Sequence, residues 1–346
     1  MIRFECDYSE GACPEIIKKL EETNMEQTQG YSEDIYCNSA REKIKKICKC
    51  PNAEVQFLVG GTQTNMIVIS SILKPYQGVI SAQTGHINMH ETGAIEATGH
   101  KVLVVNSNDG KLTERDIKEM YQTHYTDVDR EHMVQPGMVY ISYPTENGII
   151  YTKKELENLY KTCKECNLPL YIDGARLGYG LMSEESDMDI SDIAQNCDIF
   201  YIGGTKVGAL FGEAVVITNK KLQENFRYCI KQRGGMLAKG RLLGIQFDVL
   251  FENGLYFNIS KHAVDMAMRI KKAFTDKKYN VLYDSNTNQQ FPILPNKILS
   301  QLSKKYSFCL WEKVDESNSA VRFCTSWATK EQDIDELVKD IENLKE

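Results

Sequence analysis

No apolar run in this sequence approaches the ~20 residues that a membrane-crossing helix needs, so no transmembrane span and no membrane partner are expected. Basic residues are in the minority: 41 Lys and Arg stand against 48 Asp and Glu, for a net charge of −7. A nucleic-acid surface needs clustered cations, so that class of partner is not expected either. The first residues, Met1 to Asp7, include two acids and lack an apolar signal core, which makes a cytoplasmic protein the expectation. There is no internal repeat and no low-complexity linker. Cysteine is plentiful, but eleven scattered residues suit free thiols in a reducing compartment better than a disulfide framework. Cys163 and Cys166, with Cys48 and Cys50 far upstream, are the nearest approach to a zinc motif. Four matched ligands are lacking, and no metal site is expected.

What is present suits a globular protein of 346 residues, 42% hydrophobic and 26% charged. From about residue 54 to residue 218, short β-type runs alternate with helical patterns. The strands are expected at Val55–Val59, Gly78–Ala82, Lys101–Val105, Met138–Ser142, Pro169–Asp173, Ile199–Gly203 and Glu213–Thr218. Several are continuous β-branched or aromatic runs, as in strands covered on both faces. Thr152 to Glu155 reads as a capping box, and Thr113 to Asp116 as a weaker helix start. The alternation predicts an α/β domain with a mostly parallel sheet. Gln122–Gly137 is polar and reads as a long loop; its His124, Asp127, Asp129 and His132 could in principle ligate a cation. After about residue 250 the pattern changes. An amphipathic segment around Ala263–Phe274, short β runs at Val281–Tyr283, Phe308–Lys313 and Val321–Thr325, and a last helix capped at Thr329 predict a small C-terminal α+β domain. The expected division is a large domain over residues 1–250, N-terminal arm included, and a small one over residues 251–346.

Three features fall at the ends of predicted strands, where open α/β sheets place their ligands. Gly60 to Asn65 joins a strand to an apolar helix; it reads as a phosphate seat or as a tight turn with an N-capping Thr. Asp173 ends a buried strand, and such a carboxylate costs desolvation energy unless a cation pairs with it; a protonated pyridine nitrogen is one such partner. Lys206 follows Gly203-Gly204-Thr205, where a partly desolvated amine could form an imine. Each feature alone could be structural. Their joint occurrence, in this order, points to pyridoxal 5′-phosphate.

The runs GGTQTN, DGARLGYG and GGTKVGALFGEAVV resemble the threonine aldolase / β-eliminating lyase family of fold-type I pyridoxal-phosphate enzymes, over nearly the whole chain from Asp7 to Arg322. The resemblance implies a large domain with a mostly parallel sheet and a small C-terminal domain. Lys206 would hold the cofactor as a Schiff base, Asp173 would pair with its ring nitrogen, and Gly61, Thr62 and Gln63 would seat its phosphate, with Thr205 beside the lysine. His86 corresponds to the histidine stacked on the ring. Arg176 lies near the substrate carboxylate, Arg322 resembles the arginine that clamps it, and Tyr31 falls in a segment near the site and the subunit contact. The implied reaction is cleavage of the Cα–Cβ bond of β-hydroxy-α-amino acids, giving glycine from threonine, by a homodimer or homotetramer. Another amino-acid β-eliminating lyase, or a non-catalytic relative, is the alternative.

The chain also departs from the family. Glu146, in Thr145-Glu146-Asn147-Gly148, stands where relatives have a histidine near the substrate hydroxyl, and would serve as base, positioner or spacer. Leu237 stands where relatives have an arginine near the phosphate, with Lys231, Arg233 and Lys239 close by in sequence. Cys6-Asp7-Tyr8 replaces the family's Ser-Asp-Thr.

Overall fold

The computed structural model of the chain describes residues 1–344. All seven strands expected in the first two-thirds form, within one to three residues of the expected bounds. After a short β1 (Ile2–Arg3) they are β2 (Glu54–Leu58), β3 (Gln77–Ala82), β4 (Val102–Val105), β5 (Gln135–Ser142), β6 (Leu170–Asp173), β7 (Ile199–Gly203) and β8 (Glu213–Ile217). They make one sheet in the order β2-β8-β7-β6-β5-β3-β4. Only β8 runs against the rest, pairing antiparallel with both β2 and β7. β6 and β7 are buried along their whole length, which explains why they read as continuous apolar runs.

Alternate side chains serve two cores. Val139, Ile141, Ile172, Phe200 and Ile202 face one layer of helices. Met138, Tyr140, Tyr171, Ile199 and Tyr201 face the other. Asp173, two residues beyond Tyr171, shares this second face. The capping boxes expected at Thr113 and Thr152 are both present.

The expectation of a long loop over Gln122–Gly137 is corrected. Helix Glu114–Thr126 runs into it, and β5 takes its last residues. Ile117 and His124, buried on one face two turns apart, hold that helix down despite its polar composition.

The second module carries β9 (Gln289–Gln290), β10 (Ile293–Pro295), β11 (Tyr306–Ser307), β12 (Cys309–Lys313) and β13 (Asn318–Cys324). β13 pairs antiparallel with β9, β10 and β12. The 22-residue helix Leu255–Asp276 extends well beyond the expected amphipathic segment. Its Ala263 and Val264 belong to the main core and its Ile270 and Phe274 to the small one, so it ties the two together. The N-terminal arm crosses over as well: β1 pairs with β11, and Phe4 packs in the small core. Thr329 does not cap the last helix, which spans Glu331–Glu342 after Lys330; its hydroxyl oxygen accepts the Ser326 N–H instead.

Candidate active site

Asp173 closes β6 with a buried carboxylate that accepts four hydrogen bonds. Its Oδ2 takes the Tyr140 hydroxyl at 2.6 Å and Asn65 Nδ2 at 3.2 Å. Its Oδ1 takes the Tyr201 hydroxyl at 2.5 Å and the Ala175 N–H at 3.0 Å. Burial, then the charge of Asp173 itself, pushes both phenols well above their ordinary range, so they remain donors. Asn65 extends the network. Its Oδ1 accepts the Tyr171 hydroxyl at 2.6 Å, and its Nδ2 also donates to Glu91 Oε1 at 2.7 Å. The same Glu91 oxygen lies 2.8 Å from His86 Nδ1. Burial opposes a charge on His86, but the bond to Glu91 and the charges of Glu146 and Asp173 outweigh it and raise the imidazole pKa.

Beyond β7 the chain turns tightly. The N–H groups of Gly204 and Thr205 both donate to the Gly212 carbonyl, at 3.0 and 3.1 Å. A Cβ on Gly203 would sit 2.3 Å from the Ala175 carbonyl oxygen, so the close approach of the two strand ends requires glycine there. The Thr205 hydroxyl donates to Glu213 at 3.0 Å and accepts the Gly212 N–H at 3.0 Å, bracing the turn. Glu213 is fully buried; burial pushes its carboxyl up to about 8, against the opposing pull of the Lys206 charge. The turn delivers Lys206 into the cleft, and among the described residues nothing bonds its Nζ.

That cleft, of about 630 Å³, lies between the two modules and brings together Lys206, His86, Glu146, Arg176 and Arg322. Arg176 is already engaged. Its Nε and Nη2 bind Asp7 at 2.7 and 3.1 Å, and its Nη1 lies 3.6 Å from Glu146. Burial works against the Asp7 charge, but Arg176 and then Lys206 outweigh it and bring the carboxyl down to about 2. Arg322 keeps more freedom. Gln289 and the Glu5 carbonyl hold Nη1 and Nη2 at 3.3 and 3.2 Å, and Trp311 lies 5.1 Å below the guanidinium. Its buried Nε has no partner among the described residues.

Gly61, Thr62 and Gln63 form the first turn of the helix Gly61–Ile72. Gly60 is its N-cap and no side chain caps it, so the capping Thr weighed from the sequence is not there. Tyr31 is not brought to the cleft. Its N–H is bonded to the Ala238 carbonyl, its φ is +59°, and its half-exposed ring lies under Lys231. Arg233 is bonded to Ser70, on the helix that begins at Gly61.

Sequence reasoning missed Asn65 and Glu91 as the link between His86 and Asp173, Tyr140 and Tyr201 as partners of Asp173, and Glu213. The signal for Glu213 was an acid at the head of an apolar strand run. The others have none, because their partners come from distant parts of the chain.

The model of the beta-eliminating lyase family matches residues 4–295. A low-specificity L-threonine aldolase of Pseudomonas sp. is 30% identical over 98% of this chain and 96% of its own length. The solved structure of the Leishmania major threonine aldolase superposes with a TM-score of 0.96, at 43% identity, over 99% of this chain and 98% of that one. A Thermus thermophilus aspartate aminotransferase double mutant superposes at 0.70 with 12% identity, over 98% and 90% of the two chains, a likeness of fold alone. The architecture is thus the fold-type I arrangement of pyridoxal-phosphate enzymes. The chain belongs to the beta-eliminating lyase family.

The residues present fit that cofactor. An unpartnered amine at Lys206 suits its aldehyde, the anion of Asp173 suits its ring nitrogen, and an uncapped helix N-terminus suits its phosphate.

Proposed function

We propose that this protein is a pyridoxal-phosphate-dependent lyase that cleaves the Cα–Cβ bond of β-hydroxy-α-amino acids, converting L-threonine or L-allo-threonine to glycine and acetaldehyde. The observation that carries this reading is the cleft itself. A lysine with no hydrogen-bond partner among the described residues, two arginines and the Glu146 carboxylate line one cleft. When bound, the cofactor supplies an electron sink for the pair released from the broken bond.

Lys206 would bind the cofactor covalently, Asp173 would hold its ring nitrogen, Gly61, Thr62 and Gln63 would seat its phosphate, and His86 would lie against its ring. Arg322, which lines the same cleft, binds the substrate carboxylate through its planar guanidinium. Arg176 borders that carboxylate but spends two nitrogens on Asp7. Glu146 accepts the proton of the β-hydroxyl.

The fold divides near residue 250, with the N-terminal arm attached to the small domain. A cytoplasmic setting accords with eleven unpaired cysteines. A homodimer or homotetramer accords with exposed apolar side chains such as Ile35 and Tyr228.

The deciding experiment incubates the protein and cofactor with L-threonine, L-allo-threonine and L-serine, and measures aldehyde, glycine and keto acid separately. Glycine and acetaldehyde in equal amounts are expected. Keto acid and ammonia without glycine would make it a β-eliminating enzyme instead, and no product from any substrate would reject catalysis of this class.

A further inference from the structure

Asn147 stands in the turn that follows β5. Gly148 N–H closes the turn on the Thr145 carbonyl at 2.8 Å, which makes Glu146 and Asn147 its two central residues. The turn is braced from both sides. The Thr145 hydroxyl donates to the Asp109 carbonyl at 3.1 Å. Gly148, at φ +75°, lies so close to Ser285 that a Cβ would come within 2.3 Å of its hydroxyl oxygen. Glu146 and Asn147 are therefore presented to the cleft on a fixed support.

The side chain of Asn147 is anomalous. The residue is fully buried, yet neither Oδ1 nor Nδ2 has a hydrogen-bond partner among the described residues. A buried polar group left in that state is costly, and native proteins keep few of them. The turn does not demand an asparagine, since Asn147 is not among the residues with positive φ. What it does border is the cleft that holds Lys206 and Arg176. Its neighbour Glu146, 3.6 Å from Arg176 Nη1, presents acceptor oxygens. The Asn147 amide adds a donor beside them. An acceptor and a donor on adjacent residues match an alcohol, which has one proton to give and lone pairs to receive.

We propose that Asn147 contacts the substrate, donating from Nδ2 to the β-hydroxyl oxygen while Glu146 receives the hydroxyl proton. This rests on the aldol-cleavage reading of the site and deepens it. In the step, the O–H bond breaks and its proton passes to the Glu146 carboxylate. The oxygen becomes the carbonyl oxygen of the departing aldehyde, the Cα–Cβ bond breaks, and its electron pair stays with the glycine fragment. Asn147 keeps its bond to the oxygen throughout, which stabilises the negative charge developing there. A donor fixed at one point also distinguishes the two configurations at Cβ, so Asn147 contributes to the choice between threonine and allo-threonine.

The test uses the holoenzyme carrying Asn147→Ala and, separately, the isosteric Asn147→Asp, which replaces the amide donor by a carboxyl group. For each, kcat/KM on L-threonine and L-allo-threonine, Cα-proton exchange of glycine in deuterated water, and the melting temperature are measured. Asn147→Ala should lose about 10- to 100-fold in cleavage and change the ratio between the two epimers. Glycine exchange, which involves no β-hydroxyl, should stay within about twofold. The melting temperature should hold or rise, because no protein hydrogen bond is removed. Unchanged cleavage, or equal loss of cleavage and exchange with a lowered melting temperature, overturns the proposal. Should Asn147→Ala fail to fold, Asn147→Asp decides: selective loss of cleavage supports the contact, and full cleavage overturns it. A wild-type enzyme that cleaves threonine beside an indifferent Asn147 variant defeats this inference alone; a wild-type enzyme that cleaves neither epimer defeats the functional reading with it.

Discussion

Arg176 grips Asp7 with two guanidinium nitrogens, Nε at 2.7 Å and Nη2 at 3.1 Å, and both side chains are buried. Asn288 Nδ2 adds a bond to the same Asp7 oxygen that takes Nε, at 2.9 Å. Three distant parts of the chain thus meet at one carboxylate. Removing one member of a buried pair strands the other charge, so Asp7→Ala should cost about 3–5 kcal/mol in denaturant unfolding. The pH dependence follows from the lowered pKa of Asp7. The pair's contribution is present above the ordinary value of 3.8 and is lost as pH falls toward about 2. Between those limits the melting temperature should change more steeply with pH for the wild type than for Asp7→Asn; parallel pH dependences would remove Asp7 from the account.

Glu213 gives the opposite slope. Burial disfavours its anion and pushes the folded carboxyl up from 4.5 to about 8. The folded state then holds a proton that the unfolded chain releases, and stability declines as pH rises from 4.5 toward 8. Glu213→Gln keeps the shape and removes the titration. In cofactor-free protein its melting temperature should vary less across that range than the wild type's, and an unaltered slope would assign it to another group.

The two phenols on Asp173 predict a coupled pair. Tyr140→Phe or Tyr201→Phe removes one bond to a buried anion and should cost about 1–3 kcal/mol in unfolding free energy. Because both donate to one carboxylate, the double variant should differ from the sum of the singles by more than about 0.5 kcal/mol. Strict additivity would show that the two hydroxyls act independently.

Arg322→Lys tests the carboxylate anchor. A lysine keeps the charge but loses the planar fork and the face that lies on Trp311. The KM for L-threonine should rise about 10- to 100-fold with a smaller change in kcat. A KM within twofold of the wild type would move the anchor to another residue, with Arg176 the alternative in the same cleft.

Most strands of the main sheet were legible from the sequence as local apolar runs, and burial on both faces leaves that mark in β6, β7 and β8 without reference to any partner. Asp173 and Lys206 were legible for a related reason: one ends such a run, the other follows one by three residues, and the two runs are parallel neighbours in the sheet. The capping boxes at Thr113 and Thr152 are likewise complete within four residues. What the tertiary structure decided is who pairs with whom. Arg176 was expected near the substrate carboxylate, and only folding brings the N-terminal arm across to place Asp7 on it. Asn65 looked like part of a glycine turn, yet it bonds residues 26 and 108 positions away. Tyr31 lay in a segment expected near the site and the subunit contact; it does not line the cleft of this chain, and its N–H is bonded to the Ala238 carbonyl. Patterns of one or two turns are recorded locally in the order of residues, whereas a contact across a hundred residues depends on the whole sheet being assembled.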